Sequence, residues 1–337
     1  MQVSIDIVIL NYNTKNLLEL LVPKVLENSA LPGVNVVIAD NASTDGSAEW
    51  VKENLPQLEC IVLSKNLGYA GGYNEVLKNR KADYFILLNS DAEPAPGWLD
   101  PLFQLINSHP DLGAVQPKLL DFYHRNKFEY AGASGGFLDQ YGYPFCRGRI
   151  FGHVESDFNQ YNDNCEIFWA TGACFLVKRE AWEKAKGLDE HFFAHMEEID
   201  LCWRLQLLGY KNYVCPESVV YHMGGGTLSN LSPRKTFLNF RNNLLMLYKN
   251  LHPSEKNKII FRRKLLDGLA ACFFILQGKW SHIPQVWKAH RAYEKMKLDV
   301  KETPNSKTLS EFKTVMKSGL VWNFFAKGKR VFSALKF

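Results

Sequence analysis

The stretch YFILLNSDAEP, Tyr84 to Pro94, decides how this chain is read. Phe85 to Leu88 is a short apolar run of the kind that forms a buried strand, and Asn89-Ser90-Asp91 followed by Ala92-Glu93-Pro94 cannot continue it. In open α/β sheets ligands bind in the crevice beyond the carboxyl ends of the strands, so Asp91 is expected to face a ligand, directly or through a metal. For one isolated aspartate, capping of the turn is the simpler alternative.

Outward from that stretch, the first 115 residues alternate strand and helix signals. Strands are expected over 4–13, 35–41, 59–66 and 84–91, and helices over 14–28, 43–55 and 68–81, with Ser43 or Thr44 capping the second helix. Such a βαβ series implies a parallel sheet covered by helices on both faces, an α/β fold. A polar cluster follows each strand: Asn11-Tyr12-Asn13, Asp40 to Gly46, Asn66 with Gly68, and Asn89-Ser90-Asp91. No Gly-x-Gly-x-x-Gly follows the first strand and no Gly-x4-Gly-Lys-Ser/Thr is present, which removes the main support for a dinucleotide fold or a P-loop.

Residues 116–167, rich in Gly, Tyr, Phe and Asn with weak periodicity, read as loops and short strands over a site. A strand is expected at 173–178, helices at 180–186 and 197–208 (the latter closing at Gly209), and a strand at 214–222 that ends on His222 before a glycine-rich turn. Beyond Pro233 the chain reads as helical.

The 337 residues are 46% hydrophobic and 22% charged, a globular composition. The seven cysteines are scattered without a Cys-x-x-Cys pair, so neither a disulfide framework nor a cysteine zinc site is indicated, which suits a reducing cytoplasm. The start MQVSIDIVILNYN has no basic n-region, so no signal peptide is read. The apolar run Gly268 to Leu276 falls well short of the roughly 20 residues of a membrane span. The formal charge of +5 conceals an asymmetry: residues 234–337 hold 22 Lys and Arg against 6 Asp and Glu. Aromatics interleave these cations in helix-like segments, which fits an anionic membrane surface better than nucleic acid; the plain alternative is a solvated basic tail.

Asp91 with substrate phosphates is enough to hold a hard divalent cation, and His222 at another strand end is a candidate imidazole ligand, although a lone histidine is usually structural. In HMEEIDLCWR, Glu197, Glu198 and Asp200 open a helix, where the macrodipole favours anions, and Asp200 can pair with Arg204. At 100° per residue Glu197 and Glu198 point to different sides, so one at most enters a cleft as a base.

The ordered series VILNYN, VIADNASTDGS, NLGYAGGYN, LLNSDAEP, WATGACFLVKREAW, GLDEHFFAHMEEIDLCWR and VVYHMGGGT resembles the inverting family 2 glycosyltransferases, and within them the rhamnosyltransferase-like branch of bacterial cell-surface polysaccharide assembly. The likeness covers about residues 4–250, including NFRNNLLMLYKNL. It implies a GT-A type fold, a mixed, mainly parallel sheet flanked by helices, with a helical basic extension. Residues 1–250 would be catalytic, 1–115 binding nucleotide-sugar and 116–250 acceptor, and 251–337 would meet the membrane.

By the same resemblance, Asp40 contacts the nucleobase with Asn11, Asn13 and Asp45 around it, and Asn66, Gly68 and Asn74 line the donor. The metal motif reads Asn-Ser-Asp, so Asn89 stands where Asp is usual and Asp91 is the ligand of Mg²⁺ or Mn²⁺, with His222 beside it. Glu198, where Asp is commoner, is the expected general base, with Glu197 adjacent and Asp200 in support. Trp169, Thr171 and Gly172 fall on the acceptor side. The implied reaction is one in-line displacement from dTDP-rhamnose onto a lipid-linked or growing glycan, by an enzyme peripheral on the cytoplasmic face of the membrane, with a homodimer left open. A UDP-hexose donor is the alternative, and then a non-catalytic glycan-binding scaffold, which would have lost Asp91 or the acidic pair.

Overall fold

The first strand, β1 (Ile5–Asn11), sets the architecture: Ile5, Ile7 and Ile9 enter one core and Val8 the other. A strand buried on both faces needs helices on both. The computed structural model describes residues 3–224 and 232–337. After β1 the expected alternation holds through α1 (Lys15–Asn28), β2 (Val34–Asp40), α2 (Ser47–Asn54), β3 (Glu59–Val62), α3 (Gly68–Leu77) and β4 (Tyr84–Asn89). One detail is corrected: α2 is capped by Gly46, at φ +81°, and not by Ser43 or Thr44. The Ser43 hydroxyl is drawn to the turn after β1 instead, where it accepts from the Asn13 backbone amide at 2.9 Å.

Next come β5 (Ala92–Pro94), α4 (Leu99–Ser108) and β6 (Leu112–Asp121). The expectation of loops and short strands from 116 is corrected here, because β6 is ten residues long and buried up to Leu120. A strand covered on both faces shows no alternation, and Pro117 and Lys118 disguise it further. Lys118 is tolerated inside because its ammonium meets Asp157 at 2.7 Å and Asn162 at 2.9 Å. The division read at 115/116 falls within this strand.

Beyond it, β7 (Gly136–Asp139), β8 (Pro144–Cys146), β9 (Arg149–Ile150) and β10 (His153–Val154) build a small second sheet. The chain then returns through β11 (Cys165–Ile167), β12 (Cys174–Lys178), α5 (Arg179–Ala185), α6 (Glu197–Leu207) and β13 (Lys211–His222). Among the described residues the main sheet has the order β11-β13-β6-β12-β4-β1-β2-β3, with β5 on β13. β12, β11 and β5 run against the other strands, so the sheet is mixed and mainly parallel. The glycine-rich turn after His222 reaches Gly225 to Thr227, which lie outside the described residues.

The basic region is helical in α7 (Pro233–Asn250), α8 (Pro253–Leu276) and α9 (Ile283–Met296). None of the described helices is long and apolar enough to cross a membrane. Past α9 the chain folds back onto the body. β14 (Val315–Met316) pairs parallel to β7, and the rings of Phe332 and Phe337 lie 5.0 and 5.2 Å from that of Phe137. The buried Asp139 carboxyl, pushed up to about 6 by burial, accepts from the Leu320 amide at 2.7 Å.

Candidate active site

Strand register gathers the polar ends on one edge of the sheet. Asn11 stands opposite Asp40 in the β1–β2 pair, and Leu10 opposite Asn89 in the β1–β4 pair. The Asn11 amide donates to Asp40 at 2.8 Å and to the Ser43 hydroxyl at 3.1 Å, while the other Asp40 oxygen accepts from the Ser43 amide at 2.8 Å. Asn13, exposed and at φ +53°, accepts from the Thr44 amide at 2.7 Å. Asn11, Asn13 and Asp40 thus form one hydrogen-bonded unit. Asp45 sits apart on the surface and ties two helix starts together, accepting from the backbone of Lys15 at 2.8 Å and of Ser47 at 3.1 Å. Partial burial pushes its carboxyl up, but these bonds outweigh that and hold it below the usual carboxylate range.

The start of α3 is organised by Asn41, a residue the sequence reading left without a role. Its side chain donates to the Gly68 carbonyl at 2.9 Å and the Asn66 side chain at 3.2 Å, and accepts from the Leu67 amide at 2.9 Å. Gly68 lies at φ +73°, and a Cβ there would sit 2.5 Å from the Phe193 carbonyl oxygen. Only glycine lets α3 come this close to the turn before α6, so that the Tyr69 amide donates to that carbonyl at 2.7 Å. Asn74 faces another way: its amide bonds both backbone atoms of Leu188, at 2.8 and 3.0 Å, and joins α3 to the 188–190 turn.

Asp91 and His222, 131 residues apart, meet with Oδ1 and Nε2 separated by 3.0 Å. That contact is a hydrogen bond from the ring to the carboxylate; with the ring proton released, an imidazole nitrogen and a carboxylate oxygen are donors that Mn²⁺ accepts. The other ring nitrogen of His222 lies 3.2 Å from Glu129, a buried carboxylate that no sequence signal marked. Burial disfavours the imidazolium, but Asp91 and Glu129 overcome it and raise His222 well above its ordinary range. A carboxylate on the far nitrogen of a ligating histidine orients the ring and raises its basicity. Asn89 is 3.4 Å from the same Nε2. Burial lowers Lys235, in the first turn of α7, against the pull of Glu129 and Asp91, and burial, with Lys235 as the smaller cause, lowers His195 to about 4.

Glu197 and Glu198 open α6 after a strained turn in which Phe193, His195 and Met196 all have φ between +65° and +75°. One oxygen of each carboxyl is buried with no hydrogen-bond partner among the described residues. Burial raises Glu198 to about 7, and burial together with Glu198 raises Glu197 well above the carboxylate range. Two such neighbours do not both ionise near neutral pH, so the pair holds one proton between them. Asp200 does different work. It bonds Arg204 at 2.8 Å as expected, and also Lys249 at 2.8 Å and Asn250 at 2.7 Å, fastening α6 to α7.

The strained turn is gripped by Asn242, whose amide donates to the carbonyls of Phe192, Ala194 and His195 at 2.9, 2.8 and 2.7 Å. Of the residues expected on the acceptor side, Trp169 and Thr171 are buried, the indole donating to the Phe137 carbonyl at 3.1 Å and the Thr171 amide to Gln116 at 2.9 Å. Gly172, partly exposed, accepts from the Tyr69 hydroxyl at 2.6 Å.

With this geometry in hand, comparison with known proteins gives the family. The model of glycosyl transferase family 2 matches residues 6–185, more than half of the chain. This chain belongs to glycosyl transferase family 2. The transferase is 27% identical over 204 residues to an N-acetylglucosaminyl-diphospho-decaprenol L-rhamnosyltransferase of Mycobacterium tuberculosis, a match covering 56% of this chain and 66% of that protein. It is 27% identical over 231 residues to the O-antigen biosynthesis protein RfbC of Myxococcus xanthus, covering 65% of this chain and 17% of that one. Among solved structures, TarS 1–349 of S. aureus in complex with UDP-GlcNAc aligns with a TM-score of 0.55 at 16% identity, over 85% of this chain and 79% of that one. The mannosyltransferase PcManGT of Pyrobaculum calidifontis, solved with GDP-Man and Mn²⁺, aligns with a TM-score of 0.53 at 17% identity, over 88% and 76%. These likenesses establish the GT-A type fold.

Proposed function

We propose that this family 2 transferase is an inverting, divalent-metal-dependent enzyme that moves a sugar, with dTDP-rhamnose the leading donor, onto a hydroxyl of a lipid-linked or growing cell-surface glycan. The observation that carries the reading is the presence of two unlike acidic sites: Asp91 with His222 beyond the strand ends, and the buried carboxyls of Glu197 and Glu198 opening α6, which do not both ionise near neutral pH. In this reading residues 1–250 are the catalytic unit and 251–337 serve a membrane surface on the cytoplasmic side. The rhamnosyl assignment draws on the mycobacterial relative, and a UDP-hexose satisfies the same contacts because a carboxylate at Asp40 does not separate thymine from uracil.

Asp40, with Asn11 and Asn13, holds the base, and Asn66 and Gly68 bound the donor. Asp45 and Asn74 act at one remove, by fixing helix starts and the 188–190 turn. Asp91 and His222 would hold Mg²⁺ or Mn²⁺, with Glu129 orienting the imidazole. A cation there supplies charge neutralisation for the departing diphosphate. Glu198 accepts the proton of the acceptor hydroxyl as its oxygen attacks the anomeric carbon from the face opposite the leaving group, and the configuration inverts. Because the two carboxyls do not both ionise near neutral pH, Glu197 adds no second negative charge while Glu198 acts as the base. Asp200 anchors the helix that carries both.

Thermal-shift titration with dTDP, UDP, GDP and CDP, each with and without Mn²⁺, tests the reading. A ligand at 100 times its Kd stabilises by about 2.7 kcal/mol. A metal-dependent shift confined to dTDP supports the rhamnosyl donor, a UDP preference transfers the assignment to a hexosyl donor, and no shift with any nucleotide refutes the enzyme reading.

A further inference from the structure

Helix α8 turns apolar side chains outward. Its packed face is made by Lys256, Ile259, Ile260, Arg263 and Asp267. At about 100° per residue, Phe261, Leu265, Leu269, Cys272 and Leu276 fall within an arc of about 80° opposite that face. All five are exposed, Leu269 by 62% and Leu276 by 83%. A helix that ends its packing at the protein surface normally shows polar residues there. Phe273 meets Phe325 edge to face at 5.6 Å, the segments that carry Trp280 and Trp287 pack against α8, and Trp280, Trp287 and Trp322 are each at least 60% exposed.

The charge around the stripe is mainly basic, with Glu294 the acid at its edge, bonded to Lys264 and Lys297. From Lys256 to Tyr293 the sequence contains a single carboxylate, Asp267, and it is fully buried between Arg263 at 2.9 Å and His290 at 3.0 Å. Lys258, Arg262, Lys279, Lys288 and Arg291 are exposed along the same segment. A second copy docked symmetrically by this face would bring like charges together. Lipid phosphates would neutralise them, while the apolar stripe and the tryptophans suit the boundary between headgroups and acyl chains.

We propose that the outward face of α8, with Trp280 and Trp287, is a binding surface for an anionic lipid bilayer that lies in the membrane interface without crossing it. This deepens the membrane reading of residues 251–337, and it depends on neither the donor nor the metal, so nucleotide thermal shifts and lipid binding can fail separately. The test is co-sedimentation of the full chain with phosphatidylglycerol-containing vesicles and with pure phosphatidylcholine vesicles. The wild type should pellet with the anionic vesicles, less so as salt is raised. Leu265→Glu with Leu269→Glu should weaken that binding at least about tenfold, and Lys279→Glu with Lys288→Glu should remove the preference for phosphatidylglycerol. Both pairs are exposed, so unchanged melting curves and nucleotide shifts should confirm intact folding. Wild-type protein left in the supernatant, or binding indifferent to the Leu265/Leu269 pair, overturns the proposal. So does a dimer in sedimentation velocity that the same pair dissolves, since the occupant is then a second copy.

Discussion

Asn242→Ala should disable the enzyme without emptying its donor site. The Asn242 amide has two protons shared among three carbonyls of residues 192–195, and the side chain is fully buried. Its removal deletes about two net hydrogen bonds of about 1 kcal/mol each, a loss of about 2–3 kcal/mol, since the Phe192 carbonyl keeps Arg241 and the Ala194 amide and the other two carbonyls are only part-buried. Left-handed backbone in non-glycine residues costs about 1–2 kcal/mol each, and the turn holds three of them in Phe193, His195 and Met196. The grip and the stored strain are therefore of similar size, so the substitution should let the turn relax and carry Glu197 and Glu198 off position. A misplacement of about 1 Å costs about 10²-fold in rate. The assay is nucleoside diphosphate release with a lipid-linked acceptor, together with hydrogen exchange at the Tyr69 and Ala70 amides, which bond the Phe193 carbonyl at 2.7 and 3.4 Å. Turnover should fall about 10²-fold, exchange at both amides should speed up, and the nucleotide thermal shift should persist. Wild-type turnover with fully protected amides would refute the reasoning.

Glu198→Gln should lower turnover by about 10²–10⁴-fold with donor binding intact; if Glu197→Gln does so instead, their roles are exchanged. Since the base acts ionised, wild-type kcat/KM should rise with pH through about 7 and lose that limb in Glu198→Gln. Folding stability runs the other way. A carboxyl raised from 4.5 to about 7 binds its proton more tightly when folded, so its contribution is lost as pH climbs across that window, readable as a fall in Tm that Glu198→Gln abolishes. Glu129→Gln should weaken Mn²⁺ binding, followed by titration calorimetry in the presence of nucleotide, by about 10–100-fold. Unchanged affinity there would show that Glu129 does not orient His222.

Deletion of residues 255–337 is a poor test of the basic region, because β14 and Phe332 complete the small sheet and its core. Substitutions on the exposed face of α8 leave that packing alone.

Periodicity and strand-end chemistry were enough to place β1 to β4, the helices between them, and Asn11, Asp40 and Asp91 at one sheet edge, because these depend on neighbours close along the chain. The acidic pair at the start of α6 and its ion pair from Asp200 to Arg204 were legible for the same reason. Long-range meetings were not. β6 hides its strand because burial on both faces erases alternation, and Asn74, expected at the donor, reaches Leu188 across 114 residues. Glu129 becomes a partner of His222 only when β6 and β13 lie side by side, and Asn242 grips the turn before α6 only when α7 packs on α6. Nor does spacing reveal that Glu197 and Glu198 resist ionising together, since burial and mutual repulsion are properties of the folded interior. The candidate residue types were written in local sequence; their partners, strain and proton affinities were decided by packing.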